Sequence, residues 1–150
     1  YAKELSKEFY EKQAALIGDR CAFNDVVITT ALIGGVKAPK LITEEMVKKM
    51  RPGSIIIDLA AEGGGNCTLS EPGRTVEKHG VKIFAPLNLP STMPLHASVL
   101  YARNLANFVL AFAKDGKFNL DLNDDIQKAA VITHNCEVVH TGAKDALAGK

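Results

Sequence analysis

The stretch DLAAEGGGN, residues 58–66, decides the fold. It closes the apolar run Ile55, Ile56, Ile57 with an acidic residue, consecutive glycines and an amide. A strand that ends this way brings bare backbone up to something flat or anionic. In an open α/β sheet, ligands sit outside such strand ends. Two further apolar runs finish comparably: residues 26–33 run through TTALI into a Gly pair, and residues 81–86 run into LNLPS. Ends so rich in small and polar residues imply one shared crevice.

Working outward, residues 3–17 read as a helix, with Leu5, Phe9, Lys12 and Leu16 at three- and four-residue steps and Gly18-Asp19 as its stop. Asp25 leads into VVITTALI, a β-branched run too short and too closely flanked by Gly for a helix. A loop with Pro39 comes next. Thr43 then caps a short helix whose acidic residues Glu44 and Glu45 lie in its first turn and whose lysines lie in its last. Pro52-Gly53 stops it before the second strand. Residues 69–74 read as a turn and residues 81–86 as the third strand. Pro94 opens a helix behind Ser91 and Thr92 as candidate caps. Leu95, Val99, Ala102, Leu105, Ala106, Val109 and Phe112 form its apolar face, and Gly116 ends it after about five turns. Residues 118–122 and 131–140 read as short strands, the latter with Asn135 and Cys136 at a hairpin turn.

The alternation predicts an α/β fold. It is the second half of a doubly wound, Rossmann-like parallel sheet, with a long helix and short C-terminal strands. Residues 1–113 form the sheet and return helix, 114–141 the closing strands, and 142–150 a flexible tail. No GxGxxG lies between a strand and a helix, and Gly63, Gly64 and Gly65 have the wrong spacing to replace it. In a dinucleotide fold the phosphate-binding half would then precede Tyr1. The chain opens on Tyr1 without a Met and reads as a fragment.

Composition narrows the function. Hydrophobic content of 47% with 23% charged residues is ordinary for a globular domain. A formal charge of +1 gives no field for steering nucleic acid, so no nucleic-acid partner is expected. Cys21, Cys67 and Cys136 have neither CxxC spacing nor a zinc-ligating His at the right distance, and read as free thiols in a reducing compartment. His79, His96, His134 and His140 share no spacing that suggests a metal site or a proton relay. Arg103, Asn104 and Asn107 near the middle of the longest apolar stretch argue against a bilayer span. Asp58 stands inside its strand and reads as an internal hydrogen-bonding partner. Glu62 and Asn88 close the other two strand ends; each could line the crevice, cap a helix or pin a turn.

Long segments also resemble a known family. YAKELSKEF, DVVITTALIGGVKAPKLITEEMVKKMRPGSIIIDLAAEGGGN, HGVKI, NLPS and HASVLYARNLANF occur in the order seen in the NAD(H)-binding domain I of proton-translocating NAD(P) transhydrogenase. The resemblance implies a domain that forms homodimers and binds NAD(H). It also implies direct hydride transfer to NADP(H) on a separate domain III, coupled to proton movement by a membrane domain II. Rings held face to face need no acid, base or metal, so no catalytic side chain is expected.

By the same resemblance, Tyr1 matches the tyrosine of a mobile loop that folds over nucleotide, and Gln13 matches a cofactor-contacting position on the next helix. Thr30, Ala31 and Leu32 match the strand end beside the nicotinamide ribose. Small residues there admit a ring and Leu32 walls it. Thr92 and Met93 come after NLPS where relatives commonly place an Arg. The implied location is a soluble domain on a membrane complex, at the bacterial cytoplasmic face or the mitochondrial matrix face. Alanine dehydrogenase shares the architecture and resembles the stretch APKLIT…EMVKKMRPGSIIID, but DQGG is expected there where this chain has Glu62-Gly63-Gly64-Gly65-Asn66. A dimerising fragment without turnover is the remaining reading. Without the upstream half, the chain alone is expected to bind NADH very weakly.

Overall fold

The computed structural model describes residues 6–33 and 36–149; Tyr1 lies outside them. The chain divides into two compact units, residues 1–93 and 94–150.

The first unit carries the expected sheet. Strands β1 (Val26–Thr29), β2 (Ile55–Asp58), β3 (Thr75–Lys78) and β4 (Val81–Phe84) lie in the order β1-β2-β4-β3. β1, β2 and β4 run parallel, in a register that pairs Thr29 with Asp58 and Ile56 with Ile83. β3 is antiparallel to β4, making the sheet mixed. The sequence does not announce β3, because TVEK is a polar edge strand without apolar alternation. The two-residue turn His79-Gly80 makes it a hairpin, with both φ positive at 55° and 76°.

Helices α1 (Lys7–Phe23) and α2 (Glu44–Lys48) share one face of this sheet. Cys21, Val47 and Met50 from their side meet Ile56, Val81 and Ile83 in the core. Thr43 caps α2 as expected, its Oγ1 accepting from the Met46 N–H at 3.4 Å. The expected stop of α1 at Gly18-Asp19 is not observed; the helix continues to Phe23. Gly18 is buried where α2 crosses, and a Cβ there would sit 3.4 Å from Met46 Cγ. Close helix approach thus overrides the roughly 1 kcal/mol that Gly costs in a helix interior.

The opposite face of the sheet is also apolar, as a strand of a doubly wound fold requires. Val26 and Ile28 stand exposed on it, and Ile55 and Ile57 half-buried. A hollow of about 490 Å³ lies there, lined by Ile55, Ile57, Arg74, Phe84 and Pro86 among others.

The second unit begins with α3 (Pro94–Phe112), starting at Pro94 as expected. Ser91 and Thr92 do not cap it. Their hydroxyls donate back to the carbonyls of Asn88 and Leu89, inside a 3-10 turn, Leu89–Thr92. No residue of α3 is buried. The helix ends before Gly116, because Asp115-Gly116 (φ 50° and 73°) turns the hairpin of β5 (Ala113–Lys114) and β6 (Lys117–Phe118). Phe108, Phe112 and Phe118 gather there, with ring centroids 5.3–6.4 Å apart.

The strand expected over residues 118–122 shrinks to β6. An unforeseen helix, α4 (Asp125–Ala130), lies behind the capping side chain of Asp124. Asn135 and Cys136 do make the turn between β7 (Thr133–His134) and β8 (Glu137–Val138). Helix α5 (Thr141–Leu147), capped by His140, occupies most of the stretch read as a tail. No helix among the described residues is long and apolar enough to cross a membrane.

Candidate functional site at the strand ends

The parallel strands β1, β2 and β4 all finish at the same edge of the sheet, and side chains join the segments beyond them. Past β1, the Ala31 N–H donates to Asn66 Oδ1 at 3.0 Å, and Asn66 Nδ2 donates to the Ala31 carbonyl at 2.9 Å. Leu32 lies over Gly63 so closely that a Cβ on that glycine would come within 2.6 Å of Leu32 Cδ1. Past β4, the Asn88 N–H donates to Glu62 Oε1 at 2.6 Å, which pins Asn88 in a left-handed conformation with φ 50°. Three strand ends therefore form one continuous ledge. Thr30 and Leu32 are exposed on it, and Ala31 is half-buried.

The glycine run plays a different part from the one its composition suggests. Gly63 and Gly65 donate their N–H groups to the Ala60 carbonyl, and Gly64 donates to the Ala61 carbonyl, at 2.9–3.0 Å. None of these donors is left to face an anion. The glycines supply room instead: Gly63 admits Leu32 and Ala38, and Gly65 admits the Asp58 carboxylate. Lys40 clamps the run from outside, its Nζ donating to the Gly64 carbonyl at 2.6 Å.

Asp58 is the electrostatic centre beneath the ledge. It has no exposed surface, and its carboxylate accepts from Thr29 Oγ1, the Ala60 N–H, the Cys67 N–H and Ser70 Oγ at 2.6–3.2 Å. Burial pushes this carboxyl up, but hydrogen bonds from Cys67, Ser70, Asn66 and Thr29 outweigh it and hold the group below the ordinary carboxylate range. It is thus an internal partner, as its place within the strand implied. Cys67 and Cys21 are buried and free, and burial raises both thiols, which keeps them unreactive.

Of the residues singled out from sequence, Thr30, Ala31, Leu32, Glu62 and Asn88 are brought together. Gln13 is exposed in the middle of α1 and makes no hydrogen bond to this ledge. Tyr1 lies outside the described residues. Asn66 and Lys40 escape a reading of the sequence. Their partners lie 35 and 24 positions away, so no local spacing could have revealed them.

Comparison with known proteins places the chain in a family. The family described as Alanine dehydrogenase/PNT, C-terminal domain, matches residues 2–141. An NAD(P) transhydrogenase subunit alpha protein of Rhodospirillum rubrum is 51% identical over 142 residues, covering 93% of this chain and 37% of that protein. Alanine dehydrogenase of Bacillus subtilis is 35% identical over 131 residues, covering 83% of this chain and 34% of that protein. Among solved structures, transhydrogenase from Sinorhizobium meliloti superposes with a TM-score of 0.74 at 42% identity, over 90% of this chain and 38% of that one. The chain thus spans little more than a third of the length of these relatives.

Proposed function

The chain belongs to the alanine dehydrogenase/PNT family, within its C-terminal domain, and from that premise we propose that it is the NAD(H)-binding component of a proton-translocating NAD(P) transhydrogenase. The observation that carries the reading is the single ledge made by the ends of β1, β2 and β4. It is where an open parallel sheet receives a ligand. The stronger likeness to a transhydrogenase subunit, 51% identity against 35% for an alanine dehydrogenase, supports the first of these activities over the second.

In this reading the nicotinamide lies against Thr30, Ala31 and Leu32. Leu32 offers an apolar wall, held in place because Gly63 leaves it room. Glu62 and Asn88 border the same ledge. The pyrophosphate is not held by the glycine run, whose N–H groups are already bonded within the run. Hydride passes directly between the nicotinamides of NAD(H) and NADP(H), so the chain's task is orientation and exclusion of water, with no side chain acting as acid or base. Tyr1 and Gln13 join the nucleotide contacts through the resemblance alone. A homodimer of this domain, an NADP(H)-binding domain III and a membrane domain II that couples transfer to proton movement complete the assembly. It sits at the bacterial cytoplasmic or mitochondrial matrix face.

A hybrid subunit tests this. In the Rhodospirillum rubrum protein, the matching residues are replaced by this chain, and NADH-dependent reduction of an NADP+ analogue is followed with the partner subunits present. Turnover within about tenfold of the parent is expected, since orientation rather than side-chain chemistry sets the rate. Alanine-dependent reduction of NAD+ would favour the alanine dehydrogenase reading, and a dimer indifferent to either nucleotide would favour a non-catalytic fragment. The 150-residue chain alone is expected to show little NADH binding, and a saturable micromolar fluorescence change would overturn that expectation.

A further inference from the structure

Past the end of β1 the sheet ladder stops. The last ladder bond runs from the Leu59 N–H to the Thr29 carbonyl. Ala31 therefore has a backbone donor and acceptor with no neighbouring strand to meet them. The side-chain amide of Asn66 meets both, at 3.0 and 2.9 Å, and so imitates the missing strand. Its second Nδ2 hydrogen reaches the Pro39 carbonyl at 2.8 Å. Its own backbone carbonyl accepts from the N–H groups of Leu41 and Ile42, at 2.8 and 3.0 Å. Asn66 is itself wholly buried. One residue thus ties the end of β1, the Pro39–Ile42 loop and the glycine run to each other, its side-chain amide and its own carbonyl both bonding to backbone groups of the neighbouring segments.

We propose that Asn66 is the positioning residue of the nucleotide ledge: it sets the height and direction of Thr30, Ala31 and Leu32 without touching the ligand. The inference rests on the reading of that ledge as the nicotinamide site. No other side chain suits the arrangement. Bonding Ala31 on both sides takes one acceptor and one donor on neighbouring atoms, and the Pro39 carbonyl takes a second donor from the same nitrogen. Only a primary amide provides this set, and Asn reaches where the longer Gln would overshoot. An Asp keeps the acceptor but turns an oxygen toward two carbonyls.

The test has two readouts. In the 150-residue chain, amide hydrogen exchange at Ala31 is measured in Asn66→Ala and Asn66→Asp. Exchange at Ala31 is expected to rise at least about a hundredfold while Val27 and Ile57, whose N–H groups face the neighbouring strand, keep their protection, as for a local opening. In the hybrid transhydrogenase, the same substitutions are expected to lower kcat by at least about tenfold and leave the KM for NADH within about threefold. That is the signature of lost orientation rather than lost binding. Val47→Ala, a core truncation that removes no hydrogen bond of the ledge, is the control for general destabilisation and is expected to move neither at a temperature where it stays folded.

Unchanged Ala31 exchange, or kcat loss matched by Val47→Ala, would overturn the proposal. If Asn66→Ala does not fold, Asn66→Asp decides, because it keeps the volume while setting an oxygen against the Ala31 and Pro39 carbonyls, and that repulsion drives the Ala31 segment off the side chain. A parent hybrid without turnover would count against the transhydrogenase reading, while the exchange at Ala31 would still judge the role of Asn66.

Discussion

Replacing Asp58 with alanine is expected to lower the stability of the first unit by about 3–5 kcal/mol, read as a shift of the urea midpoint at constant slope. The carboxylate is wholly buried and is the acceptor for hydroxyls of Thr29 and Ser70 and for N–H groups of Ala60 and Cys67. Truncation would strand the buried donors of Thr29, Ala60 and Cys67, each at a cost of about 1–3 kcal/mol before relaxation, and would free the half-buried Ser70 hydroxyl. Asn in its place would preserve volume but fail similarly, since its NH2 group must face either Thr29 and Ala60 or Cys67 and Ser70, all donors. An unfolding free energy within about 0.5 kcal/mol of the parent would show that the network is dispensable.

The same group sets an acid limit. Its pKa is lowered in the folded state, so the unfolded chain takes up the proton first as pH falls. The stabilisation is complete above the unfolded value of about 3.9 and disappears as pH drops through the lower folded value. Asp58→Ala is expected to lose this part of the acid dependence as well, giving a flatter stability profile below about pH 4.

Much of this architecture can be seen in the chain itself, for reasons that differ by element. β1, β2 and β4 are β-branched runs bounded by Gly, Pro and Asp, so local composition alone marks them. α2 declares itself through Thr43, whose hydroxyl does cap it. β3 is invisible because an edge strand exposed to water carries no apolar alternation, and α1 overruns its apparent stop because Met46 needs the space at Gly18. Both failures are tertiary.

The ledge divides along the same line. That Thr30, Ala31, Leu32, Glu62 and Asn88 meet is a consequence of parallel strands ending together. The residues that join them cannot be read, because bonds such as Asn66 to Ala31 and Glu62 to Asn88 link positions 35 and 26 apart. By composition the glycine run is bare backbone offered to a ligand. Its donors are instead spent on Ala60 and Ala61, a pattern that depends on the turn and not on composition.

Gly65→Ala is the sharpest probe of that turn. Gly65 has φ +81°, and a Cβ built on it would stand 2.7 Å from Asp58 Oδ2 and 3.1 Å from Ser70 Cβ. Two costs would therefore combine. A left-handed conformation in a residue with a side chain costs roughly 1–2 kcal/mol. The collision would add more, because Asp58 cannot retreat without loosening its bonds to Cys67 and Ser70.

Gly53→Ala separates these terms. Gly53 has φ +90° but nothing within 4 Å of the added carbon, so it bears the conformational cost alone. The expected losses are about 1 kcal/mol for Gly53→Ala and about 3–4 kcal/mol for Gly65→Ala, compared by urea unfolding under one condition. In the double variant Gly65→Ala/Asp58→Ala, the destabilisation should be smaller than the sum of the single effects, since the atom struck by the new methyl is gone. Strict additivity would mean that the third glycine is required for its backbone conformation alone and not for the close approach of the buried carboxylate.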